Sequence, residues 1–188
     1  QWGTQFRPEY QALAGLRSEL LKAQREADPR GETELFRTIL MTATMGPGSA
    51  DLLMKLFDAP GPVELAISNR LRPEPGYWVA ESTGLRERSE HVVEALLHLP
   101  RPAIVYCMTP EQARDGHAEF VDAGFKRSAV FHGKTTASKR REIMMDFRSG
   151  EIDLVVATSA FGVGVDQADV RTIVHACIPE TIDRYYQE

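Results

Sequence analysis

Short apolar runs alternate with amphipathic segments along the second half of the chain. The runs AIVYCMT, SAVFHG, DLVVATS and RTIVHA are rich in β-branched residues and predict strands, as does YWVAES (77–82). Apolar positions at helical spacing predict helices over 87–99, 110–124 and 137–150, with a further helix starting in ETIDRYYQE. Nearly all-apolar strands that alternate with helices are typical of a parallel sheet covered on both faces.

The first part of the chain has a different pattern. A helix is predicted over 9–25, a buried strand over 37–45, and a second helix over 49–57 with Ser49 as its N-cap. Residues 58–76 are rich in Pro and Gly, which is typical of a domain end and linker. We therefore expect one part over 1–71, a linker and the start of the next part over 72–83, and a second part over 84–188.

Small polar residues follow three of the predicted strands. They occur in TAT (Thr42 to Thr44), in CMT (Cys107 to Thr109) and in ATSAFGVGVD. Ligands of parallel sheets bind at the carboxyl ends of the strands, and glycines there let the backbone approach phosphate or sugar closely. The pattern therefore predicts one ligand-binding edge, although each segment alone is more often a simple strand end.

Charge is distributed unevenly along the chain. The 188 residues carry a net charge of −5, which does not favour nucleic acid as a partner. Residues 124–150, however, contain seven basic residues and two acidic ones, whereas residues 151–188 contain seven acidic residues and two basic ones. A local basic patch favours phosphate contact, and the alternative is that these side chains form solvated helix faces.

Two features bear on the cellular compartment. Cys107 and Cys177 both lie in hydrophobic stretches, which indicates reduced core cysteines of a cytosolic protein. The sequence contains neither an apolar run of membrane-spanning length nor a signal-peptide pattern. A cytoplasmic protein of bacterial type is therefore expected, without a membrane partner and with use at the nucleoid left open.

Several motifs resemble those of one enzyme family, the RecQ-like superfamily 2 DNA helicases. QWGTQFRPEY is similar to the aromatic-rich loop after the DEAH motif, LMTAT to motif III and AIVYCMT to motif IV. Residues 130–188, VFHG to YYQE, resemble the motif V region up to the start of motif VI. TATM and Lys134 depart from the usual residues of the family, which favours a divergent member.

The resemblance implies a fold and two partners. Residues 1–71 would be the C-terminal part of a first RecA-like lobe, and residues 84–188 a second lobe that stops before motif VI. ATP would bind between the lobes and single-stranded or partially duplex DNA across them. The Walker A loop and the DEAH carboxylates that hold Mg²⁺ would lie upstream of Gln1, and the motif VI arginines beyond Glu188. The printed chain alone is therefore not expected to hydrolyse ATP.

The resemblance also implies roles for individual residues. The nucleotide would be contacted by Gly162, Gly164, Asp166 and Gln187. DNA would be contacted by Thr109, His132, Gly133, Arg140, Thr158 and Ser159. Coupling between the two would use Trp2, Phe6, Arg7, Thr42 and Thr44. In this reading Asp166 accepts a hydrogen bond from the ribose and the aromatic loop stacks on a base. Core packing for Trp2, capping of a turn by Asp166 and a core or capping role for His132 are the alternatives.

The function implied is that of an ATP-dependent DNA helicase that moves 3′ to 5′ along single-stranded DNA. A non-catalytic nucleic-acid-binding or regulatory module derived from a helicase lobe is the main alternative. An RNA helicase is a more remote one. The sequence does not indicate protein partners, and DNA repair and defence against foreign DNA fit it equally well.

Overall fold

The structure is a computed structural model that describes residues 9–32, 34–42, 47–59, 61–68, 73–161 and 169–188. The chain divides into two compact units, Gln1–Arg72 and Pro73–Glu188. None of the helices in the described ranges has both the length and the apolar character that a bilayer span requires.

The first unit contains two helices, α1 (Glu9–Ala27) and α2 (Pro47–Phe57). The second helix begins two residues before Ser49, so the predicted N-cap at Ser49 is wrong. Proline suits the first turn of a helix because its ring fixes a helical φ and the amide it lacks would have no partner there. Pro47 therefore allows the helix to start earlier than the pattern of apolar residues indicates.

The predicted strand over 37–45 is also wrong for the residues that are described, since 37–42 form no strand. Side chains of α1 hold residues of the 34–38 segment instead. Gln24 Nε2 donates to the Glu34 carbonyl (3.0 Å), the Phe36 amide donates to Gln24 Oε1 (3.2 Å), and Arg17 Nε donates to Thr38 Oγ1 (3.0 Å). A strand needs a neighbour for its backbone groups, and side-chain contacts with a helix do not supply one.

The second unit is built around a four-stranded parallel sheet. Its strands are β1 (Ala103–Tyr106), β2 (Ser128–Phe131), β3 (Leu154–Ala157) and β4 (Thr172–His175), in the spatial order β2-β3-β1-β4. Every position of the two central strands is buried, which explains their unbroken apolar sequences. These four predicted strands are confirmed. The predicted strand over 77–82 is wrong, because that segment joins no sheet and leaves Trp78 92% exposed.

Helices cover both faces of this sheet. Side chains of α3 (Leu85–His98) and α4 (Pro110–Asp122) pack against Val105 and Val156 on one face. Helix α5 (Ala137–Ser149) packs on the other face, where Ile143 and Phe147 contact a cluster that includes Val155. Alternate residues of a strand point to opposite faces, so side chains of the central strands pack in both clusters. The predicted class, a parallel α/β sheet flanked by helices, is confirmed.

A short helix, α6 (Ile182–Gln187), follows β4.

An ionic cluster ties together the amino ends of three strands. Asp153 lies before β3, and its carboxylate is 3.9 Å from Arg101 Nη1 and 3.6 Å from Arg127 Nη1. The Asp153 amide donates to the Arg127 carbonyl, and the Ala103 amide donates to the Asp153 carbonyl, both at 2.9 Å. The amino edge of the sheet is thus fixed by contacts within the protein itself.

Candidate nucleotide and nucleic-acid site

The carboxyl edge of the sheet brings together two of the three polar segments that the sequence singles out, CMT and ATS, and the turn that begins at His132. The third segment, TAT, belongs to the first unit. Thr109 lies three residues beyond β1, His132 directly follows β2, and Thr158 directly follows β3. The Thr158 amide donates to the Phe131 carbonyl (3.1 Å), and the Cys107 amide donates to the Ala157 carbonyl (2.7 Å). These bonds extend the ladder past the ends of the strands, so the three segments leave the sheet side by side.

Thr109 is the N-cap of α4 and forms a capping box with Gln112. Its Oγ1 accepts from the Gln112 amide (3.2 Å), while Gln112 Oε1 accepts from the Thr109 amide (3.3 Å) and the Met108 amide (3.2 Å). A hydroxyl that accepts in this way still has its own hydrogen to donate. The Thr109 hydroxyl already interacts with the Glu111 carboxylate and contributes to the lowered pKa of Glu111, so a ligand oxygen would have to replace that acceptor.

A tight turn follows β2 and contains His132 and Gly133. The Thr135 amide donates to the His132 carbonyl (2.9 Å), and the His132 amide donates to Thr135 Oγ1 (3.0 Å). The His132 ring is partly buried, and its Nε2 lies 3.4 Å from Arg114 Nη1. Gly133 is exposed, and a Cβ placed there would meet no atom within 4 Å. The protein's own packing therefore does not require a glycine at this position.

Arg140 lies on α5 beneath the same turn. Its Nε donates to the Thr135 carbonyl (2.9 Å), and its Nη2 donates to the Gly133 carbonyl (2.7 Å) and approaches the His132 carbonyl (3.4 Å). The guanidinium carbon lies 5.3 Å from the centre of the Phe131 ring. Much of the donor capacity of Arg140 is thus directed at the protein backbone, and its predicted contact with DNA stays a prediction.

Two arginines that the sequence analysis missed border this edge. Arg114 contacts His132, and Arg184 Nη1 lies 3.5 Å from Ser159 Oγ while also pairing with Glu180 at 3.1 Å. Helices that follow the strands of a parallel sheet begin at its carboxyl edge. Charged residues in their first two turns are therefore near the site, and Arg114 on α4 and Arg184 on α6 both occupy such positions. That placement is the sequence signal that could have identified them.

The predicted nucleotide-binding residues are only partly described. Gly162, Gly164 and Asp166 lie outside the described residues, as do Trp2, Phe6, Arg7 and Thr44. Phe161, directly before the glycines, is 1% exposed and meets the Phe131 ring edge-on at a centroid distance of 4.9 Å. Gln187 is exposed at the end of α6, and Thr42 is exposed in the first unit. The glycine segment therefore follows a fixed anchor at the carboxyl end of β3.

The family of the chain is decided by its second half. Residues 87–188 match the family described as the helicase conserved C-terminal domain. The chain belongs to this helicase family. It is 28% identical over its whole length to the probable ATP-dependent DNA helicase RecS of Bacillus subtilis, and 30% identical to the ATP-dependent helicase wrn-1 of Caenorhabditis elegans. It spans 35% of RecS and 17% of wrn-1. Together with RecQ proteins among its other relatives, these matches confirm the resemblance to RecQ-like helicases.

Solved helicase structures share the fold. Dbp5 of S. cerevisiae, in a structure described as bound to RNA and ADP BeF3, superposes with a TM-score of 0.67 over 78% of this chain and 39% of its own. The sequence identity is 16%, so this likeness concerns the fold alone. The helicase domain is thus RecA-like, with a parallel sheet between layers of helices.

A second cluster lies at the carboxyl end of β4 in this helicase domain. His175 Nε2 is 3.1 Å from Glu188 Oε2, and the His175 ring stacks on Tyr106 at 5.5 Å. Burial lowers the pKa of His175 and raises the pKa of Glu188, because a partly dry site disfavours the charged form of each. Burial also raises the pKa of the neighbouring Cys107 thiol to about 12, which makes it unreactive near neutral pH.

His175 should therefore titrate below the 6.5 of an ordinary imidazole. The unfolded chain takes up a proton near that pH and the folded chain does not, so the free energy of unfolding should fall as the pH drops below 6.5. Glu188 acts in the opposite sense, because its raised pKa lets the folded state keep a proton that the unfolded chain releases above pH 4.5. An NMR titration of His175, with the chain in urea as reference, measures the first shift. A folded pKa above the urea value would instead indicate an ion pair with Glu188.

Proposed function

We propose that the protein is an ATP-dependent DNA helicase of the RecQ type that moves 3′ to 5′ along single-stranded DNA. The observation that carries the proposal is the convergence of Thr109, the His132–Thr135 turn and the Thr158–Ser159 segment at one edge of a RecQ-like helicase domain. Relatives that match the whole chain are named as ATP-dependent DNA helicases. Cytoplasmic work on chromosomal or foreign DNA is part of the same proposal.

The chemistry of this edge suits contact with a nucleic-acid backbone. Thr109 and Ser159 offer partly exposed hydroxyls, and the turn after β2 offers backbone amides beside the exposed Lys134. Thr158 is only 7% exposed, so its predicted contact with DNA has less support than theirs. Donors of this kind bind phosphate oxygens without reading bases, as a motor that must move over any sequence requires. In this proposal His132 and Gly133 lie against the same strand. Arg140, predicted to bind DNA, donates to the backbone of the same turn.

The nucleotide would lie against the segment that follows Phe161, with Gly162 and Gly164 beside the phosphates and Asp166 at the ribose. The described residues fit this assignment at two points. Phe161 is fixed in the core at the carboxyl end of β3, and Gln187 lies at the end of α6, which starts from the same edge. ATP, bound with Mg²⁺, would supply the free energy for movement. Phe161 would hold the start of the glycine segment in place.

The two units would form parts of two RecA-like lobes. Residues 1–71 would belong to the first lobe and residues 84–188 to the second, with 72–83 linking them. Trp2, Phe6 and Arg7 would couple DNA binding to ATP use, with Thr42 and Thr44 linking the two sites. Aromatic side chains suit such a role because a ring can stack on an unpaired base and sense whether the strand is present.

Phe6→Ala should therefore reduce the stimulation of ATP hydrolysis by DNA more than it reduces DNA affinity. Loss of a stacked base costs roughly 1–3 kcal/mol, which corresponds to a stimulation about 5- to 150-fold weaker if the stack forms only in the active state. Hydrolysis rates and anisotropy of a labelled strand, measured on protein extended at both ends, give the two quantities. Phe6→Tyr preserves the ring and is the control. Equal losses in both quantities would reduce the loop to a simple binding surface.

The proposal as a whole is tested by ATP hydrolysis in the chain extended at both ends, with single-stranded DNA, with RNA and without either. Strong stimulation by DNA is the expected result. Stimulation by RNA alone would make the protein an RNA helicase. Absence of hydrolysis with DNA binding retained would instead support a non-catalytic module derived from a helicase lobe, which is the alternative function.

A further inference from the structure

We infer that Arg140 is a positioning residue, which shapes the turn after β2 for phosphate contact and does not itself bind DNA. The inference rests on the proposed function, because it concerns how the proposed DNA edge is built. Its starting point is that one guanidinium approaches the carbonyls of His132, Gly133 and Thr135 at 3.4, 2.7 and 2.9 Å. Three of the four residues of the turn thus direct their carbonyls at a single side chain.

The direction of these carbonyls fixes the direction of three amides. In a trans peptide the C=O and the following N–H point in opposite directions. Carbonyls of residues 132, 133 and 135 that face Arg140 therefore turn the amides of Gly133, Lys134 and Thr136 away from it. Within the described part of the chain, none of these three amides donates to a protein acceptor. Backbone amides that point outward and have no protein acceptor are donors that a phosphate oxygen can accept from.

Arg140 is poorly placed to reach a phosphate itself. Its side chain is partly buried, and the guanidinium lies over the Phe131 ring. Turning it outward would withdraw a donor from the carbonyls of Gly133 and Thr135, and the loss of these hydrogen bonds carries a free-energy cost. Lys134 contrasts with it, because it is exposed in the same turn and forms no ion pair with any described residue. Lys134 can neutralise a phosphate, whereas Arg140 supports the backbone that meets one.

The two roles predict different effects of substitution. Arg140→Gln and Lys134→Gln each remove one positive charge at or beside the turn after β2, so their long-range electrostatic effects are matched. Arg140→Lys keeps the charge but loses the planar fork that reaches several carbonyls at once. A positioning role predicts that Arg140→Lys loses as much DNA affinity as Arg140→Gln. A direct phosphate contact predicts that the lysine retains most of the affinity.

The experiment measures the anisotropy of a fluorescein-labelled oligothymidylate over a range of salt concentrations. It uses the protein extended at both ends, with the unaltered sequence and with each of the three substitutions. We expect both Arg140 variants to bind about tenfold more weakly, with the salt slope of the unaltered chain, as the loss of a turn of oriented donors implies. Lys134→Gln should reduce that slope by about 0.7, the value for one phosphate contact on a single strand. A slope reduced by about 0.7 in Arg140→Gln and restored in Arg140→Lys would overturn the inference.

A second readout does not depend on DNA. The Thr135 amide, which donates to the His132 carbonyl at 2.9 Å, should exchange its hydrogen faster in both Arg140 variants and at an unchanged rate in Lys134→Gln. Unchanged exchange in the Arg140 variants would also overturn the inference. If the unaltered chain binds no oligothymidylate even at low salt, the proposed DNA function fails, and exchange alone then decides whether Arg140 fixes the turn. Should Arg140→Gln not fold, Arg140→Lys provides the same comparison.

Discussion

Replacement of Phe161 by alanine should lower the free energy of unfolding by roughly 3–5 kcal/mol, the usual cost of deleting a buried aromatic ring. Phe161 is 1% exposed, and its ring meets Phe131 at 4.9 Å and Phe147 at 6.2 Å, both edge-on. The truncation removes both contacts and leaves a cavity between β2, β3 and α5 that rigid strands cannot close. Because whole domains are stable by only about 5–15 kcal/mol, this loss is a large fraction of the stability of a domain.

Urea unfolding followed by circular dichroism measures this loss. Phe161→Leu, which keeps much of the volume, should cost less than the alanine variant, because the remaining cavity is smaller. Met145→Ala is a matched control on α5, since Met145 is 69% exposed and such positions change stability by about 0.5 kcal/mol or less. If Phe161→Ala were as stable as Met145→Ala, the ring would not be the anchor that precedes the glycine segment.

Replacement of Asp166 by alanine should raise the KM for ATP about 10- to 150-fold in protein extended at both ends. A hydrogen bond to a charged group contributes roughly 1.5–3 kcal/mol, and each 1.4 kcal/mol is a factor of ten. The proposed bond joins the Asp166 carboxylate to the ribose, so folding should be unaffected.

Steady-state kinetics, with thermal unfolding of the same samples, separates these effects. Asp166→Asn retains an acceptor oxygen without the charge and should fall between the alanine variant and the unaltered protein. If Asp166→Ala left ATP kinetics unchanged, Asp166 would not belong to the nucleotide site. If it lowered the unfolding temperature as well, the alternative role of capping a turn would be favoured.

The sheet of the second half could be predicted because its central strands are buried on both faces and therefore have continuous apolar sequences. β1 and β3 are buried at every position, and short runs that are apolar throughout are typical of strands covered on both faces. The segments over 37–42 and 77–82 have equally β-rich sequences, yet neither is a strand. Strand formation depends on a partner, and a local pattern contains no information about whether one is near. Contacts from Gln24 and Arg17, distant in sequence, hold the first segment in another way.

The site shows the same limit at the level of side chains. Residues at strand ends, such as Thr109 and Thr158, were predictable because the topology of a parallel sheet brings those ends together. The partners of Arg140 could not be predicted, because the sequence around a charged residue on a helix is the same whether it binds phosphate or faces solvent. Only its distances to the carbonyls of the turn distinguish support of the backbone from contact with a ligand.

The ionic cluster at the amino edge of the sheet has a consequence for how such a domain can change over evolution. Asp153, Arg101 and Arg127 join the starts of three strands at the end opposite to the proposed DNA edge. Substitutions that strengthen or weaken this cluster would raise or lower the unfolding temperature of the domain. They would not change any group that faces a nucleic acid in the proposed function. Adaptation to a new temperature and adaptation to a new substrate could therefore proceed independently, at opposite ends of the same four strands.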